Sequence, residues 1–200
     1  KYNPISIIVH GSYARGNALP NSDIDIYLIV PDPAESSKDR LRNFEHSILD
    51  IAFLSKKEAE EDDINERFGF NLSDAKVIFD TESLGENLLK RAQEFYKKGR
   101  NLTQEERQFR KYFFERCLGR LKDTTDDSIS FEIRFGEIYG RLPRYWAELK
   151  MNTWGKSPRV AILEIQQKDE YYRRLLMSLT KASKEEKIQL LEECFRYLFD

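Results

Sequence analysis

Two short apolar runs, Ile5 to Val9 and Ile24 to Val30, are joined by a segment that begins His10-Gly11-Ser12 and ends Ser22-Asp23-Ile24-Asp25. Runs of this length, rich in β-branched residues and bounded by Gly, Pro, Asn and Ser, read as strands. A tight turn therefore leaves the first strand, and a pair of carboxylates enters the second. Alternate side chains of a strand share a face, which puts Asp23 and Asp25 on one side and Ile24, Ile26 and Leu28 on the other. Pro31 to Pro33 close the second strand, because proline supplies no ladder donor. Ser36 and Ser37 are expected to cap a charged helix running to about His46. Ile48 to Leu54 and Lys76 to Phe79 read as two further strands.

Beyond Ser83 the texture changes to long runs with apolar residues three and four apart, as in Leu88, Leu89, Ala92, Phe95 and Tyr96, or Phe109, Phe113, Cys117 and Leu121. That spacing is helical. Breaks are expected at Gly99 to Asn101, Asp123 to Asp127 and Asn152 to Pro158. The expected fold is α/β or α+β: a small mixed-sheet domain over residues 1–98, then an all-α helical bundle over residues 99–200. No internal repeat is visible, and the acidic run Glu58 to Asp63 is read as a solvated helix face.

With 33 basic and 35 acidic residues among 200, the formal charge of −2 provides no overall basic field for nucleic acid or anionic membrane. Neither is an expected partner. Cys117 and Cys194 fall in apolar helical stretches without ligand spacing, so no disulfide framework or zinc site is expected and a reducing cytoplasm is the default. No apolar run reaches the roughly 20 residues that span a bilayer. Residue 1 is Lys and an apolar strand starts within five residues, which leaves room for sequence upstream.

The chemistry is concentrated between His10 and Ile26. Gly11 lacks a Cβ, so backbone N–H groups can approach an anion there, and Ser12 adds a hydroxyl donor. A helix opening near Tyr13 would aim further amides at the same anion, for which a phosphate chain is the natural guest. Asp23 and Asp25, held close, raise one another's pKa unless neutralised, and their hard oxygens prefer Mg²⁺ or Mn²⁺. Asp50 interrupts an otherwise apolar strand, where an unpaired carboxylate is expensive to bury. Beside the first pair it completes a cluster able to hold two cations for an in-line phosphoryl displacement.

The Gly-Ser turn, the spacer, Ser22-Asp23-Ile24-Asp25 and the later strand acid resemble the DNA polymerase beta-like nucleotidyltransferase superfamily. The layout of a catalytic domain plus a helical domain is similar to that of the bacterial aminoglycoside adenylyltransferases. By motif the resemblance covers Ile5 to Leu54; past Ser83 it is architectural. It implies that Gly11 and Ser12 grip the triphosphate, that Asp23 and Asp25 bind both cations, and that Asp50 binds the cation beside the nucleophile or acts as the base. Some antibiotic-modifying members have Glu as the third acid, and Asp50 is one methylene shorter. Arg15, Asn21 and Ser22 lie inside the motif and are further candidates for nucleotide contact.

The function expected from this resemblance is transfer of a nucleoside monophosphate, AMP from ATP or another nucleoside triphosphate, to a hydroxyl of a small-molecule acceptor, with release of pyrophosphate. Two Mg²⁺ or Mn²⁺ ions are the implied cofactors, and a homo-oligomer is compatible. The slight acidity suits a cationic, aminoglycoside-like acceptor, although −2 is too small to decide it. Other readings are a protein-modifying, antitoxin-type transferase, an RNA-end transferase that would show a basic stripe with stacking aromatics, and a nucleotide-binding module without turnover. Among the remaining candidates, His10 and His46 read as packed residues. Tyr139, Tyr145, Trp146 and Trp154 read first as core and second as an acceptor pocket. Arg134, Arg141 and Arg144, taken to lie on one helix, read first as a solvated face and second as triphosphate contacts.

Overall fold

The first strand, β1 (Ser6–His10), is hydrogen-bonded on both sides, antiparallel to β2 (Ile24–Val30) and to β5 (Lys76–Asp80). On the far side of β2 lies β4 (Ser47–Ser55), parallel to it, and β3 (Leu41–Phe44) closes that edge antiparallel to β4. The result is a mixed five-stranded sheet of order β3-β4-β2-β1-β5. This computed structural model describes residues 2–32, 40–61, 68, 71–154 and 157–200. It divides into two compact units, Lys1–Lys98 and Gly99–Asp200.

Strand alternation sorts the first unit into two apolar clusters. Ile8, Tyr27, Ile29 and Leu54 pack with Leu88, Leu89 and Ala92 of a helix that follows β5, while Leu28, Val30 and Ile51 pack on the opposite side of the sheet. Asp25 is two residues before Tyr27, and Asp50 is two before Ala52, so both acids lie on the face of the first cluster, at its edge. A short helix, α1 (Gly11–Arg15), leaves β1 directly, and α2 (Lys56–Glu60) leaves β4 through a capping box of Ser55 and Glu58. The helix after β5 is α3 (Leu84–Lys97).

The charged helix expected to end near His46 is corrected here: Leu41–Phe44 is a strand that turns back into β4 through Glu45 and His46. All four of its residues are exposed, so no buried face imposes an alternating pattern, and pairing with β4 determines the conformation. Ser36 and Ser37 lie outside the described residues.

The second unit is helical: α4 (Gln104–Lys122), α5 (Ser128–Tyr139), α6 (Leu142–Leu149), α7 (Pro158–Lys168), α8 (Glu170–Leu179) and α9 (Lys184–Phe199). Its core gathers Phe114, Leu121, Phe131, Trp146, Ile165, Tyr172, Leu179 and Leu191. Asp169 caps α8 through the Tyr172 amide and also accepts from Trp146 Nε1 and Tyr197 Oη, each at 2.6 Å, which locks α6, α8 and α9 together. A break at Gly140 and Arg141 corrects the expectation of one helix carrying three arginines: Arg134 is on α5, Arg144 on α6 and Arg141 between them. Pro143 in the first turn of α6 is the cause, since its ring cannot continue a preceding helix. No described helix is long and apolar enough to cross a membrane.

Candidate active site

Parallel pairing of β2 with β4 sets Asp25 directly beside Asp50, and antiparallel pairing of β1 with β2 sets His10 on the other side of Asp25. Asp23 stands just before the start of β2. The three aspartates, far apart in sequence, each offer a carboxylate oxygen within 4.8 Å of the others. Burial holds the Asp25 carboxyl above its ordinary pKa, the charges of Asp23 and Asp50 add to that, and Arg15 opposes it. An exposed, a half-buried and another half-buried carboxylate thus share a space in which full ionisation is penalised until a cation enters. The all-oxygen donor set and its spacing fit a hard divalent ion such as Mg²⁺ or Mn²⁺.

Gly11 forms the adjoining wall. Its φ is +69°, and a Cβ added there would stand 2.0 Å from Asp25 Oδ2. Two independent constraints, the left-handed backbone and the carboxylate it touches, therefore require glycine. Gly11 and Ser12 open α1, whose N-terminus has no side-chain cap, so its first amides are not occupied by a local side chain. Tyr13 Oη lies 3.1 Å from Ser47 Oγ, which ties this helix to the start of β4.

The remaining motif residues separate. Ser22 Oγ accepts from the Leu19 amide at 2.8 Å, and the Ser22 amide donates to the Leu19 carbonyl, so its hydroxyl serves the turn that delivers Asp23. Arg15 has a buried Nε without a hydrogen-bond partner and an Nη1 4.0 Å from Asp74, yet its charge is felt by both Asp25 and His10. Asn21 is exposed.

Two participants were missed or undervalued in the sequence. Arg40 Nε donates to Asp50 Oδ1 at 2.9 Å and Nη2 to Oδ2 at 3.4 Å, a forked pair that neutralises the third acid. Arg40 sits one residue before β3, the strand with no legible pattern, and only the β3–β4 register reveals its reach. His10 stacks on Tyr27 at 4.4 Å, and burial pushes its pKa down to about 4 against the pull of Asp50 and Asp23. At neutral pH it is an uncharged wall of the site and cannot neutralise the aspartates. A strand residue opposite Asp25 could have been found by aligning β1 against β2, which the sequence alone does not do.

Residues 1–135 match the family described as Nucleotidyltransferase domain. The chain belongs to that family. Members transfer nucleoside monophosphates, and the chain is accordingly a nucleotidyltransferase with a nucleoside triphosphate as substrate. Among solved structures it is similar to a nucleotidyltransferase-like protein from Exiguobacterium sibiricum 255-15, at 14% identity over 99% of this chain and 69% of that one, with a TM-score of 0.46. No curated protein matches it.

Proposed function

We propose that the chain transfers a nucleoside monophosphate, AMP from ATP in the leading case, to a hydroxyl of a small-molecule acceptor, and that Asp23, Asp25 and Asp50 hold two divalent cations for the reaction. The observation that carries this reading is the approach of three aspartate oxygens to within 4.8 Å of one another beside Gly11. Bound there, Mg²⁺ or Mn²⁺ would offset the charge of the triphosphate and of the entering and leaving oxygens.

The chain's own groups have separate tasks. Gly11 and Ser12 bring backbone N–H groups and a hydroxyl to the outer phosphates. Asp23 and Asp25 would hold the cations. Asp50, paired with Arg40 here, would help hold a cation and would orient the entering hydroxyl or accept its proton. Arg40, an exposed cation at the rim, would suit a phosphate oxygen. Arg15 contributes a fixed positive charge near Asp25. Ser22 positions Asp23 through the Leu19 turn.

The unit Gly99–Asp200 is proposed to carry acceptor specificity. Its residues vary the acceptor without disturbing the aspartates, as loops and added helices do on a fixed catalytic frame. An aminoglycoside-like acceptor is the class the slight acidity suits.

The test is to incubate the protein with alpha-labelled ATP, GTP, CTP or UTP, Mg²⁺ or Mn²⁺, and separate pools of aminoglycosides, other small molecules, cell proteins and RNA. Label is expected in a small molecule, with pyrophosphate released, and not after Asp23→Asn with Asp25→Asn. Transfer that survives the double substitution contradicts the reading.

A further inference from the structure

Wholly within the second unit, α4 and α6 border an open cavity of about 260 Å³ lined by Phe109, Arg110, Phe113, Arg141, Arg144, Tyr145 and Glu148. Glu148 is 1% exposed, and both of its oxygens are occupied: Arg110 Nε donates to one at 2.6 Å and Arg144 Nε to the other at 2.8 Å. One carboxylate thus meets two guanidinium groups. The third, that of Arg141, lies 4.8 Å from the centre of the Phe113 ring, and among the described residues no carboxylate pairs with it. Three cations against one anion leave this small cavity net positive.

The wall between the charges is aromatic. Phe109 is 64% exposed, and Phe113, half-buried one turn on, presents a ring whose one side is covered by Arg141. Tyr145 is buried at the back. A guanidinium over one ring can accept a second planar group edge-on or stacked, while its N–H fork is still available to an oxyanion.

We propose that this cavity binds a small planar aromatic anion, a carboxylate or phosphate ester on a ring, with Arg141 and Arg144 at the charge and Phe109 and Phe113 against the ring. Glu148 anchors Arg110 and Arg144 and limits the excess charge, which favours one small anion over a polyanion. A polycationic ligand is excluded from the cavity by the same charge. The proposal goes beyond nucleotidyl transfer and stands whether or not the aspartates act as described.

The probe is 2-naphthoate, titrated into the full chain by calorimetry in chelator without nucleotide. Its neutral amide, 2-naphthamide, is titrated in parallel. Naphthoate is expected to bind at least about tenfold more tightly than the amide, and Arg141→Gln is expected to weaken naphthoate by about tenfold while leaving the amide unchanged. Phe113→Leu should weaken both. Arg141 is exposed, and matching melting curves confirm that the variant folds. Asp23→Asn with Asp25→Asn should leave naphthoate binding intact, which separates this cavity from the nucleotide site. Absence of binding, equal affinity for acid and amide, indifference to Arg141→Gln, or loss in the aspartate variant each overturns the proposal.

Discussion

Gly11 shows how one residue joins backbone conformation to chemistry. Its left-handed φ and its contact with Asp25 both exclude a side chain. Gly11→Ala is expected to displace Asp25, lower transfer activity by well over about tenfold and destabilise the fold by about 1 kcal/mol or more, as activity assays beside denaturant unfolding will check. His10 carries a pH signature. Its folded pKa of about 4 lies below the ordinary 6.5, so the unfolded chain binds the extra proton first. The stability that neutral His10 contributes is complete above that ordinary value and is lost as the pH falls through the window toward about 4. Melting in chelator should show the wild type losing on the order of 2 kcal/mol more than His10→Gln across this window. The aspartates were legible because Asp23 and Asp25 are two residues apart at the entry to β2 and because Asp50 breaks an apolar run. Arg40 was not, since its partner is chosen by strand register, which single-sequence periodicity does not encode.

At the scale of elements, legibility followed burial. β1, β2, β4 and β5 read from the sequence because each has a face against apolar neighbours, and their observed limits differ from the expected ones by a residue or so. β3 is exposed throughout and was taken for helix. The helical unit was legible as helix, yet the Gly140 break was not, because apolar spacing continues across it from Ile138 to Leu142 and Trp146. Besides apolar packing, a buried charge joins α4 to α6: Glu148 with Arg110, whose side chain is 14% exposed. Removing the acid strands that arginine. Glu148→Ala is expected to cost about 3 kcal/mol, whereas Arg144→Ala, at a side chain 60% exposed, should cost less than about 1 kcal/mol. Urea unfolding of the two variants tests the difference; similar losses would mean that Glu148 contributes by packing and not by charge.

For the molecule as a whole, the family match from residue 1 to 135 runs past the boundary at Gly99 into the helical unit. The aspartate cluster was legible because its signature is local: a turn, two acids and a third acid on a neighbouring strand. The helical unit carries no comparable signature, and its cavity assembles from residues between Phe109 and Glu148 whose meeting depends on helix packing. The proposed mechanism therefore depends on whether the aspartate cluster is a divalent-ion site. Titration of Mn²⁺ into the protein without nucleotide, followed by electron paramagnetic resonance of the free ion, measures this directly. Binding is predicted for the wild type and an affinity at least about tenfold lower for Asp25→Asn; equal binding by the two proteins would contradict the account.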